Sequence, residues 1–112
     1  SRRLPKKIRR AAKFSALSAR TKENNLIVVE DFTFDNIKTK QMAEVLRNLK
    51  VYGQKTLVMM PEKDNNVYMS GRNLDRVKLE ESNRVSTYDI LNHKKIVLFK
   101  SAAEQINNSY NK

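Results

Sequence analysis

The sequence predicts an α/β fold: an open, mainly parallel four-stranded sheet with helices on both faces, preceded by a basic helix. Two observations carry that expectation. Three apolar runs, Leu26-Ile27-Val28-Val29, Leu57-Val58-Met59-Met60 and Ile96-Val97-Leu98-Phe99, lack polar alternation, which is how strands buried on both faces read. Between the first two, Met42, Val45, Leu46 and Leu49 recur at i, i+3, i+4 and i+7, the spacing of an amphipathic helix over residues 39–50. Strand, helix, strand is the right-handed crossover unit of a parallel sheet.

The remaining elements follow in order. Pro5 is tolerated in a first helical turn, and no further Pro or Gly interrupts residues 6–22, so a basic helix spans about residues 5–22. Gly53 stands beyond the second helix, where a left-handed residue commonly closes the turn, and the next strand starts at Lys55 or Thr56. A short helix over residues 65–73 returns the chain to a fourth strand at Arg76 to Glu80, with Val77 and Leu79 apolar. Ser86 or Thr87 caps a helix through Leu91, and Ser101 with Glu104 forms the Ser-x-x-Glu capping box of a last one. All 112 residues fit one domain, with the sheet core over about residues 25–110.

Charge is distributed unevenly. The first 22 positions hold nine Lys and Arg and no acid, so they supply +9 of the chain's net +11. Solvated helices usually mix signs, because oppositely charged i, i+4 pairs help each other. A single-sign block suits a polyanion, and nucleic acid gains counterion entropy on binding it. At 100° per residue, Leu4, Ile8, Ala11, Ala12, Ser15 and Ala19 gather on one side, and Lys6, Arg9, Lys13 and Arg20 gather opposite with Arg10 on their flank. The small apolar side is expected to dock on the sheet and the cationic side to face phosphates. Phe14 and Leu17 fall between the faces, so a further surface is expected to cover them: RNA, another protein or a portion of polypeptide absent here. Tyr52, Tyr68, Tyr88 and Tyr110 are scattered and read as structural.

Other classes find less support. There is no Cys, and His93 is the single His, which removes disulfides, thiol nucleophiles and nitrogen or sulfur metal sites. The apolar runs are too short to span a bilayer or serve as a signal segment. The composition therefore reads as a soluble intracellular protein. Glu30, Asp31, Glu62, Asp64, Glu80 and Glu81 follow the predicted strands, where open α/β sheets bind ligands. A receiver-like, Mg-dependent phosphoacceptor pocket is one alternative, and helix capping by these acids is the simpler account. A non-specific DNA-binding protein is the other alternative, although no helix-turn-helix or dimer zipper is visible. A membrane-surface role lacks the Trp, Phe and Leu of interfacial helices.

Four short motifs come in a telling order: Leu4-Pro5-Lys6-Lys7 through Ser15-Ala16-Leu17-Ser18-Ala19; Lys38-Thr39-Lys40; Asn65 through Leu74; and Thr87 through His93. In that order they closely resemble the L-four family of bacterial large-subunit ribosomal proteins. The resemblance covers essentially the whole chain and corresponds to the C-terminal part of the family. It implies an α/β core and a non-enzymatic protein of the cytoplasmic ribosome. It also implies binding of large-subunit ribosomal RNA, early subunit assembly and contact with neighbouring large-subunit proteins. Residue by residue, Lys6, Lys7, Arg9, Arg10 and Lys13 match the family's basic helix, Lys38 and Lys40 its Lys-Thr-Lys turn, and Arg72 and Asn73 its Arg-Asn pair. Arg2, Arg3 and Arg20 complete the expected RNA-binding set. No catalytic residue, metal, cofactor, membrane or small-molecule substrate is expected. Gly71 stands where relatives commonly carry Ala, a change expected to loosen the helix end. The family's N-terminal half, with the basic extension that lines part of the polypeptide exit tunnel, is absent. A strand or helix from that half would leave an exposed edge or groove on this sheet.

Overall fold

The computed structural model describes residues 6–110, with side chains over residues 11–108. Five α-helices, α1 (Lys6–Lys22), α2 (Thr39–Asn48), α3 (Asn65–Gly71), α4 (Thr87–Leu91) and α5 (Lys100–Tyr110), alternate with strands β1 (Leu26–Val29), β2 (Thr56–Met60), β3 (Val77–Glu81) and β4 (Lys95–Phe99). A 3-10 turn, Ser82–Arg84, follows β3. The strands pair in the order β1-β4-β2-β3, all parallel. The two apolar runs at the centre are the most deeply buried: all of β2 and Ile96 to Phe99 of β4 are inaccessible to solvent or nearly so. From β1 to β3 the chain moves one way across the sheet, so right-handed crossovers place α2 and α3 together on one face. It then reverses to reach β4, which puts α4 on the other face, where α1 packs against both α4 and α5.

The helix ends are set differently from the sequence expectation. Lys50, at φ 62°, is the left-handed residue that closes α2, while Gly53, at φ 84°, serves the following turn. The Lys50 N–H donates to the Arg47 carbonyl at 2.9 Å and the Val51 N–H to the Leu46 carbonyl at 3.0 Å. That is the Schellman pairing, and its hydrophobic contact is supplied by Val51 and Leu46, both 1% exposed. The core thus needs Val51 where it is, and Lys50 accepts a strained backbone to place it. β3 begins at Val77, because Arg76 is also left-handed at φ 63°. α5 begins at Lys100, so Ser101 lies inside its first turn and is not the cap; its N–H donates instead to Asp31 Oδ1 at 3.1 Å. Ser86 caps α4 as expected, in a reciprocal box with Asp89. Gly71 ends α3 against β3, where an added Cβ would come within 2.8 Å of Leu79 Cδ1. The near atoms belong to the end of a flexible side chain, so an Ala here is met by a small shift of Leu79.

The largest correction concerns α1. Ala16 and Leu17 are buried in the core, while Ala11, Ser15 and Ala19 are exposed. Leu17 therefore needs no external cover. Over residues 11–22 the docked side is Lys13, Ala16, Leu17 and Arg20, not the small-residue side. Leu4 lies outside the described residues, as does the Ile8 side chain. Apolar area decides the orientation: a buried Leu removes far more of it from water than an Ala does. Flanking Lys and Arg stems lie along the protein with their charged ends bonded to carbonyls.

Two outcomes test this arrangement. Leu17→Ala is expected to lower stability by about 2–5 kcal/mol, whereas Ala19→Ser stays within about 0.5 kcal/mol of the parent; denaturant titration reads both, and equal costs would reverse the docked face. Lys50→Gly is expected to raise stability by roughly 1 kcal/mol by relieving the left-handed backbone, seen as a higher midpoint at constant slope.

Candidate nucleic-acid interface

The residues expected to bind nucleic acid fall in three places. Arg2 and Arg3 lie outside the described residues. Lys6, Lys7, Arg9 and Arg10 occupy the first turns of α1, and their side chains are likewise outside the description. Lys13 and Arg20 point back into the protein. The Lys13 Nζ donates to the Ser82 carbonyl of the 3-10 turn. Burial lowers its pKa, and the nearby Asp89 carboxylate partly offsets this. The Arg20 guanidinium donates through Nη2 to the Leu91 carbonyl at 2.9 Å and through Nε to the Ile90 carbonyl at 3.4 Å. Its Nη1 pairs with Glu23 at 2.9 Å. These carbonyls close α4, where the unsatisfied ends carry partial negative charge. Arg20 is thus a clamp between α1 and α4.

Asp89 anchors the same corner. Its carboxylate accepts from the Ser86 N–H at 3.0 Å, from the Ser86 hydroxyl at 3.0 Å and from Lys78 Nζ at 3.0 Å. Burial by itself would raise its pKa, yet these donors together hold it below the usual carboxylate range.

On the opposite face of the sheet, α2 and α3 bring Lys38, Lys40, Arg72 and Asn73 into one neighbourhood. The Lys38 N–H donates to Ser70 Oγ at 2.7 Å, which ties the start of α2 to the last turn of α3, two residues before Arg72. Lys40, Arg72 and Asn73 are exposed and Lys38 is half-buried. Among the described residues, none of the three cations has an acidic partner within salt-bridge distance. Lys38 is the N-cap residue of α2 and Lys40 lies within its first turn, which contains no acid. Cations at the positive end of a helix dipole are disfavoured. An anion arriving there would relieve both the dipole and the mutual repulsion.

Arg72 also borders a groove of about 480 Å³ along the free edge of β3, with Lys63, Lys78 and Arg84 on its walls and Glu80 and Glu81 between them. The Lys63 ammonium sits 4.3 Å above the Tyr68 ring. At the far end of α2, Arg47 stacks 4.3 Å over Tyr52. The sequence does not single out Lys63, Arg84 or Arg47: Lys63 and Arg84 lie in stretches where acids offset bases, and Arg47 lies outside the four motifs.

Three of the six acids that follow the strands accept from backbone N–H groups. Asp64 caps α3 by accepting from the Val67 N–H at 3.2 Å, Asp31 serves α5, and Glu80 accepts from the Glu81 N–H at 3.0 Å. No three of the described His, Asp or Glu side chains come together in a way that would hold a metal ion. None of the described helices is long and apolar enough to cross a membrane.

Because the folded pKa of Asp89 lies below its unfolded value of about 3.9, its stabilisation is present above that pH and is lost as pH falls through the folded value. Asp89→Asn is therefore expected to flatten the decline of stability below about pH 4, measured by denaturation at stepped pH, and an unaltered acid limb would contradict the role given to this carboxylate.

Comparison with known proteins places the chain. A family model described as "Ribosomal protein L4/L1 family" matches residues 1–109. Among curated relatives named "Large ribosomal subunit protein uL4", that of Chloroherpeton thalassium is 43% identical over 104 residues, covering 93% of this chain and 50% of the relative. The Chlorobium phaeobacteroides protein is 44% identical over 101 residues (90% and 49%), and the Acetivibrio thermocellus protein 42% over 107 residues (96% and 51%). The chain spans about half the length of these relatives. The family is structural and non-enzymatic, which removes the phosphoacceptor alternative. With a match across nearly all of its residues, this chain belongs to the ribosomal protein L4/L1 family of the large ribosomal subunit.

Proposed function

We propose that the chain binds large-subunit ribosomal RNA through backbone phosphates and helps to fold or clamp that RNA early in subunit assembly. The observation that carries this reading is the set of cations left without acidic partners where α2 meets α3: Lys38, Lys40 and Arg72. The first turns of α1 add Lys6, Lys7, Arg9 and Arg10, with no acid before Glu23. A-form RNA hides its major groove, so recognition rests on phosphates and shape. Asn73 beside Arg72 offers an amide able to donate to phosphate or sugar oxygens.

Lys13 and Arg20 take a different role in this proposal. They orient α1 on the domain by bonding Ser82, Ile90 and Leu91, and so present the earlier turns of the helix to RNA. Other proteins of the large subunit are the proposed neighbours, and the bacterial cytoplasm is the proposed setting. Tunnel lining, in the intact protein, belongs to the half that this chain does not span.

The test is a salt series on structured ribosomal RNA, with unrelated duplex DNA and anionic vesicles as competitors. The triple variant Lys38→Gln, Lys40→Gln, Arg72→Gln is expected to bind more weakly and to lose roughly 0.7 from the slope of log affinity against log salt for each phosphate contact removed. Arg20→Gln should lower stability with little change in that slope. A triple variant that folds normally and keeps the parental slope would remove these residues from the interface, and equal binding of duplex DNA would favour the non-specific DNA reading.

A further inference from the structure

The two edges of the sheet are built in contrasting ways. β3 has the sequence Val-Lys-Leu-Glu-Glu, and Leu79 is buried while Lys78 is exposed. A charged edge of this kind resists pairing with another strand. β1 is Leu-Ile-Val-Val with no polar residue, and Val28 at its centre is 53% exposed. The backbone there is unfinished as well. The Ile96 N–H donates to the Asn25 carbonyl at 2.8 Å, and Leu26 pairs with Ile96 and Val28 with Leu98. In a parallel ladder this register turns the N–H and C=O of Ile27 towards β4 and those of Leu26 and Val28 outward. Among the described residues no hydrogen bond reaches those outward groups. Leu26 and Val28 share one sheet face, and on that face an apolar furrow of about 170 Å³ runs beside β1, lined by Leu17, Leu26, Leu98, Ala103 and Ile106.

We propose that β1 is a docking edge for a polypeptide strand supplied by the half of the family's chain that this sequence does not span, and that the added strand pairs with the outward backbone groups of Leu26 and Val28 and covers Val28. The chain accounts for about half the length of its relatives, so a segment of ample length exists in them to fill the place. Strand addition takes its affinity from main-chain hydrogen bonds and its specificity from alternate side chains. An apolar edge offers the second as well as the first. RNA is the poorer occupant, since β1 carries no cation and a single aromatic ring, that of Phe14, lines the furrow beside it.

The experiment joins the unmatched half of the Chloroherpeton thalassium relative to this chain and compares the fusion with the chain alone by hydrogen exchange. In the fusion the Leu26 and Val28 amides are expected to exchange at least about tenfold more slowly, while the Leu79 amide, which faces outward on β3, is unchanged. Val28→Pro removes an outward N–H at an edge position that tolerates Pro. It should leave the chain alone folded by circular dichroism yet abolish protection of Leu26 in the fusion. Val28→Lys keeps the N–H and should give partial loss, so the two variants separate backbone pairing from apolar cover. Equal Leu26 exchange in fusion and chain alone, or new protection at Leu79 instead, would overturn the proposal. Protection of Leu26 that grows with the concentration of the chain alone would replace the proposed occupant by a second copy.

Discussion

Everything in this domain follows from having two adjacent strands, β2 and β4, that are apolar on both faces. Such strands cannot leave either side to water. Each face therefore needs its own helical layer, and the short crossovers deliver α2 and α3 to one side and α4 to the other. α1 completes the second layer with Leu17, and that requirement outweighs the polarity of its neighbours. Lys13 and Arg20 are carried inward with Leu17 and find carbonyls to bond. Hydrophobic cover thus sets the rotation of the basic helix, and electrostatics adapts to it.

The same frame sorts the charges. Acids stand where helix N-termini need acceptors: Asp31 and Asp64, just past the ends of β1 and β2, serve α5 and α3, and Asp89, within the first turn of α4, serves that helix itself. None of these capping carboxylates pairs with Lys38, Lys40 or Arg72 among the described residues. The result is a cationic excess at the junction of α2 and α3, arising from placement and not from composition, since residues 23–112 are nearly balanced.

How much of this was legible beforehand depended on the range of the interaction. The strands are readable as unbroken apolar runs and α2 as a period of about 3.6 residues, both local signals, and the Ser86 cap is readable because the groups it bonds lie within one turn. The start of α5 was not, because its acceptor, Asp31, is 70 residues away. The residue that closes α2 is Lys50 and not the expected Gly53, since a left-handed Lys50 is stabilised by Val51 docking in a core that periodicity alone does not map. In the candidate interface, the motifs named Lys38, Lys40, Arg72 and Asn73, but their convergence depends on the Lys38–Ser70 bond between two helices. For α1, sorting residues by polarity assigned Lys13 and Arg20 to the wrong side, because a long cationic side chain serves equally well as a solvated group and as a clamp.

The strand order carries a consequence for how the chain reaches this state. β4 is the last of the described strands in sequence and lies between β1 and β2, so β1 has no partner among them until residues 95–99 are made. During synthesis β2 and β3 can pair as a unit while β1 waits, and insertion of β4 then joins the two parts in one step. A topology whose keystone arrives late favours slow, cooperative folding through long-range pairing. It also leaves the apolar β1 segment without β4 until residues 95–99 are made, an interval in which the basic, acid-free α1 beside it keeps this stretch soluble by charge repulsion.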